Sequence, residues 1–149
     1  MIYDTVKSVL AALDAQGNAD HDDWDDLVAS SLPRLEASYR ELRNANRDLI
    51  DYSELATQAA YVFRYVLGHA DFVYDFLKHS RDATAKPLFL SEEIWVTSVG
   101  GGPGSELLGL LKYLSEDHGE PDISKVVYTV VDKEANWQHV VELIAEEVE

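Results

Sequence analysis

Three glycines at alternate positions, Gly100, Gly102 and Gly104, follow directly on the apolar run Ile94-Trp95-Val96-Thr97-Ser98-Val99. Glycines so spaced let a chain turn sharply out of a strand and bring bare backbone against a ligand. The unpaired N–H groups of a following helix would point the same way and favour a carboxylate or another anion. Asp132 closes a second apolar run, Val126-Val127-Tyr128-Thr129-Val130-Val131. At the same edge of a sheet, its carboxylate would accept hydrogen bonds from both hydroxyls of a ribose, each worth ~1.5–3 kcal/mol because the acceptor is charged. Spacing narrows the choice of nucleoside. A dinucleotide fingerprint counted from Gly100 needs a third glycine where Ser105 stands, and a phosphate-binding P-loop needs a Lys-Ser or Lys-Thr that does not follow. The competing interpretation is mechanical: the glycines make a tight strand-to-helix connection and nothing more.

Other residues with chemical potential form weaker patterns. The acidic stretch from Asp20 to Asp26, aligned from Asp14 as a calcium loop, has Ala19 at the sixth position and Asp25 at the twelfth, where glycine and a bidentate glutamate belong. It reads instead as a solvated helix start. The five histidines (21, 69, 79, 118 and 139) show no paired metal spacing, so no metal site is expected. No serine has a G-x-S-x-G setting, and the absence of cysteine removes thiol nucleophiles and disulfides together. The aromatic-rich stretch holding Tyr61, Phe63, Arg64, Tyr65, Phe72, Tyr74 and Phe76 reads first as core and core rim, with Tyr61 or Arg64 able to reach a ligand at the glycines.

Positioning these residues falls to two regions. Residues 1–92 read as helices. The first, from Ile2 to about Ala15, sets Ile2, Val6, Val9, Leu10 and Leu13 on one face, with Gly17 at its left-handed end. Asp22 and Asp23 open a second helix carrying Trp24, Leu27, Val28 and Leu32, which Pro33 breaks or restarts. Ser53 caps a third, running to about Ser80 with a kink or split at Gly68. Near Lys86-Pro87 the pattern changes, and residues 93–149 read as strand–helix–strand–helix. The first strand looks buried; the helix after Gly104 buries Leu107, Leu108, Leu111 and Leu114, and the last sets Trp137, Val140, Val141, Ile144 and Val148 on one face. That order predicts an α/β fold with a parallel βαβ unit.

The G-x-G-x-G spacing resembles motif I of the class I, Rossmann-like methyltransferases that use S-adenosylmethionine (SAM), over residues 94–145. The resemblance implies that Gly100, Gly101, Gly102 and Gly104 line the methionine and ribose portion of SAM, that Asp132 holds the ribose, and that Lys133 lies beside the adenine. Ser98 departs from the family, which often keeps an acid two residues before the first glycine. The wording GGGPGSELLGLLKYL is loosely similar to fungal large-subunit ribosomal RNA uridine methyltransferases. Methyl transfer from a sulfonium is a direct displacement, so the missing hydrolytic triad is no objection; no residue is assigned as catalytic base.

Composition sets limits on partners. Twenty-eight acids against twelve Lys and Arg give a net charge of −16, which disfavours tight nucleic-acid binding by this chain. No apolar stretch is long enough to span a membrane, and the N-terminus reads as a helix rather than a signal peptide, so an intracellular, cytoplasmic protein is expected. The family's sheet has seven strands, and only two are found here. The expectation is therefore a fragment of a longer enzyme, or a sheet completed by a second chain or an oligomer. The alternative is a non-catalytic α/β interaction module that keeps the glycine turn for structural reasons.

Overall fold

The computed structural model describes residues 1–41, 43–44, 49–80, 92–116 and 123–147. Helix α1, Ile2–Asp20, buries Ile2, Val6, Val9 and Leu13 at the predicted spacing. It does not end at Gly17. A Cβ there would lie 2.2 Å from the indole of Trp24, so the glycine makes room for a ring inside the core. Trp24 opens α2, Trp24–Arg40, and its indole N–H donates to Asp14 Oδ1 at 3.0 Å. Helix α2 runs through Pro33 instead of breaking, because buried Ser31 and Leu35 anchor the turns on either side of the hydrogen bond that proline forgoes.

Ser53 does not cap the next helix. Its backbone N–H and its hydroxyl both donate to Asp51 Oδ1, at 2.9 and 2.6 Å, and Glu54 takes the N-cap position. The helical stretch comprises α3, Leu55–Tyr61, a π turn, Val62–Val66, and α4, Leu67–His79. It passes Gly68 unbroken, since Val66 and Ala70 on either side are fully buried; the irregularity is the π turn one step earlier.

Strands β1, Glu93–Val99, and β2, Lys125–Val131, pair in parallel, with Glu93 opposite Lys125 and Val99 opposite Val131. Between them lies α5, Ser105–Leu114; after them come a 3-10 turn, Ala135–Trp137, and α6, Gln138–Glu146. The chain is thus α/β, a set of helices around a two-stranded parallel sheet. Alternation divides the sheet into two faces. Ile94 and Val96 with Val126 and Tyr128 belong to the core or pack against it, whereas Trp95 and Val99 are 73% and 83% exposed. The first strand is therefore half-buried rather than buried, because among the described residues the helices pack against one face only.

Helix α5 buries Leu107, Leu108, Leu110 and Tyr113, while Leu111 and Leu114 are half-buried. The shift from the predicted face follows from Gly109. A Cβ there would stand 2.4 Å from the carbonyl oxygen of Ala70, so α4 and α5 cross almost backbone to backbone and α5 is covered from two sides. Helix α6 buries Val140 and Ile144 behind Trp137, with Val141 half-buried; Lys86, Pro87, His118 and Val148 lie outside the described residues. One continuous core runs from Ile2 and Leu13 through Val62 and Leu108 to Trp137 and Ile144, joining residues 1–92 to residues 93–149. No helix among the described residues is long and apolar enough to cross a membrane.

Candidate functional site

Gly100 extends the ladder by one step, its N–H donating to Val131 O at 2.7 Å, and the chain then leaves the sheet. Gly100, Gly102 and Gly104 have φ of +69°, +48° and +87°, and they are the residues with positive φ among those described. A side chain would be strained at each, so the alternation seen in the sequence records a backbone requirement. Gly104 N–H donates to Gly101 O at 3.0 Å, closing a tight turn, and Gly104 is the N-cap of α5.

Asp132 meets this loop directly. Its Oδ2 accepts the Gly102 N–H at 2.9 Å and its Oδ1 accepts the Glu134 N–H at 2.9 Å. The two signals that stand thirty residues apart in the chain therefore converge on one hydrogen bond at the ends of adjacent parallel strands. Each carboxylate oxygen has two acceptor sites, so Asp132, which is half-buried, keeps one open on each oxygen. Lys133 is exposed and pairs with Glu134 at 3.5 Å.

The loop is covered from below. Gly101 through Ser105 are buried, and only Gly100 at the loop's start is exposed. A Cβ on Gly101 would stand 2.5 Å from Ser98 Oγ; one on Gly102 would stand 3.8 Å from Trp137 Nε1, and one on Gly104 3.4 Å from Val141. Trp137 in turn packs on Tyr52 and Tyr61, with ring centroids 5.1 and 5.3 Å away, and Tyr61 continues to Tyr65 at 5.1 Å. Burial, followed by the hydrogen-bonded Tyr39 beside it, holds Tyr52 well above the ordinary phenol range; burial likewise raises Tyr61. Buried Gln58 donates to Tyr52 O at 2.8 Å and Asn136 O at 3.2 Å, tying α3 to the segment after Asp132.

Of the two helical residues expected to reach a ligand, Tyr61 lies one ring from the loop, behind Trp137. Arg64 does not approach it: its Nε donates to Glu36 Oε1 on α2 at 3.2 Å. Sequence reasoning missed Gln58 and the role of Trp137 as the loop's floor. Trp137 registered only as one apolar position in a helical face, and a lone glutamine among alanines carries no signal of its own. Asp14, the proposed first position of a calcium loop, accepts the Trp24 indole N–H, and no three His, Asp or Glu residues among those described converge on a metal-sized space. No protein-family model, curated protein or solved structure matches the chain.

Proposed function

We propose that the glycine loop and Asp132 belong to a Rossmann-like unit that binds S-adenosylmethionine, and that the protein acts in methyl transfer. The observation that carries this reading is the 2.9 Å hydrogen bond from Gly102 to Asp132, which unites a left-handed glycine turn with a carboxylate at the neighbouring strand's end. The residues fit such a ligand in three respects. Asp132 keeps acceptor capacity for a ribose diol; the first N–H groups of α5, which no intrahelical carbonyl can take, suit a carboxylate; and Asp132 and Glu134 set a negative field around a cationic sulfonium. When bound, SAM supplies an electrophilic methyl group. Gly100 at the exposed start of the loop, Asp132 and Lys133 would hold and orient it, and no residue is assigned to accept a proton.

Titration calorimetry with SAM and S-adenosylhomocysteine tests the reading. The parent chain is expected to bind both, and Asp132→Ala to weaken binding at least ten- to a hundredfold, roughly the worth of one of the two charge-assisted hydrogen bonds it would offer the diol. One observation favours a second reading: both Asp132 oxygens are already engaged by backbone N–H groups, as a latch that only shapes the turn would require. In that case Asp132→Ala lowers the unfolding midpoint, the parent gives no binding heat with SAM at millimolar concentration, and the chain is an interaction module.

A further inference from the structure

At the far edge of β1 lies a groove of about 440 Å³, walled by Val73 and Leu77 of α4 and by Glu106 and Leu110 of α5. Its remaining wall is Glu93 to Thr97, five consecutive residues of β1. Side chains of a strand alternate between faces, so a groove touching five in succession runs along the strand's edge. The hydrogen-bond parity of β1 identifies which edge. Gly100 N–H donates to Val131, and Glu92 O accepts from Ser124 and Lys125, so even-numbered residues turn their backbone groups toward β2. The N–H and C=O groups of Trp95, Thr97 and Val99 therefore point the other way, those of Trp95 and Thr97 along the groove and those of Val99 just beyond it. Among the described residues no strand pairs with this edge, and an edge that presents such a row is a template for another extended chain.

A second feature specifies what that chain carries. Glu106, which lines the groove, has a buried Oε2 that accepts no hydrogen bond from the described residues. A carboxylate oxygen removed from water without a donor is costly, and a guanidinium or ammonium entering beside Val96 and Leu110 would relieve it. The chain's net charge of −16 favours a basic occupant and opposes pairing with a second copy, which would bring two such charges together. We propose that the open edge of β1 is a strand-addition site for an extended peptide segment that alternates apolar residues toward the α4–α5 wall and places one arginine or lysine against Glu106. Main-chain pairing along Trp95, Thr97 and Val99 would give affinity, and the Glu106 contact would give selectivity. The proposal stands apart from the methyl-donor reading, since it involves neither the glycine turn nor Asp132.

The probe is a fluorescein-labelled peptide, Val-Thr-Val-Thr-Arg-Thr-Val-Thr-Val, titrated with the full chain by fluorescence anisotropy. The arginine peptide is expected to bind at least roughly tenfold tighter than its alanine twin, as a charge-assisted hydrogen bond implies, and Glu106→Gln to erase most of that preference. Peptides N-methylated on odd or on even residues keep the side chains but block opposite edges. One set should lose binding and the other keep it, and the set that loses reports the strand's direction. Absence of peptide binding at millimolar concentration, equal affinity for the arginine and alanine peptides, or equal tolerance of both N-methylated sets would overturn the proposal. So would slow hydrogen exchange of the Trp95, Thr97 and Val99 amides in the peptide-free chain. At sedimentation showing a dimer, that result would assign the edge to a second copy; in a monomer, it would assign it to the chain itself.

Discussion

The two faces of the β1–β2 pair are built from similar residues and meet opposite fates. Toward α4 and α5, Ile94 is buried, and Val96, Val126 and Tyr128 pack against the core. On the other face Trp95, Val99 and Val131 remain 73%, 83% and 52% exposed, interleaved with exposed Thr97 and Thr129. Composition does not separate the faces: an exposed row of tryptophan and valine is as apolar as the buried one. Cover separates them. The inner face is stabilised because α5 follows β1 directly and Gly109 lets α4 close over it, whereas the outer face has no such layer among the described residues. Exposed apolar surface on this scale, next to an open strand edge, is typical of an interaction surface.

Truncation on each face gives the sharpest contrast. Ile94→Ala should cost about 3 kcal/mol in urea unfolding, the loss of a buried branched side chain plus the cavity left behind. Trp95→Ala, although it removes a larger side chain, should change stability by less than about 0.5 kcal/mol. Equal costs would mean that the outer face is covered in solution. Next in size, Gly109→Ala tests the device that brings the covering helix close. Its Cβ would meet the Ala70 carbonyl and the Val73 side chain, so a net loss of about 2 kcal/mol is expected even after the gain in helix propensity, ~1 kcal/mol. A stabilised variant would show that α4 and α5 part without penalty, and the contrast between the faces would then owe nothing to close helix crossing.

What the sequence disclosed and what it hid divide along a physical line. Features set by local periodicity or by a residue's own backbone were legible. The apolar spacing of α1, the runs that became β1 and β2, and the alternate glycines with their positive φ all depend on near neighbours in the chain. Features that depend on a distant partner were not. Gly17 looked like a helix end because nothing local reveals a tryptophan seven residues on turned back against it. Gly109 carried no signal in the sequence, although it is the position that admits the Ala70 carbonyl. Ile94–Val99 looked buried because hydrophobicity reports what a side chain tolerates, and cover is supplied from elsewhere. At the site, the type and position of Asp132 were readable, but its engagement with Gly102 and Glu134 was not: a carboxylate's partners depend on how the loop folds back.

The smallest effect expected separates the covered side from the bare one by titration rather than by truncation. Tyr128 on the inner face, and Tyr52 and Tyr61 behind Trp137, are held above their ordinary value of 10.0, in each case chiefly by burial. A folded chain that keeps these phenols protonated binds more protons than the unfolded chain once pH exceeds the unfolded value. Their contribution is therefore complete below about pH 10 and declines as pH rises past it. The urea midpoint should be level from about pH 8 to about pH 9.5 and fall beyond. Tyr61→Phe, which keeps the ring against Trp137 and removes the ionisable hydroxyl, should flatten that fall. A Tyr61→Phe chain whose midpoint falls as steeply as the parent's would show that the hydroxyl ionises as freely folded as unfolded. The aromatic floor beneath the glycine loop would then be open to water, and the loop would rest on a wet surface instead of a packed one.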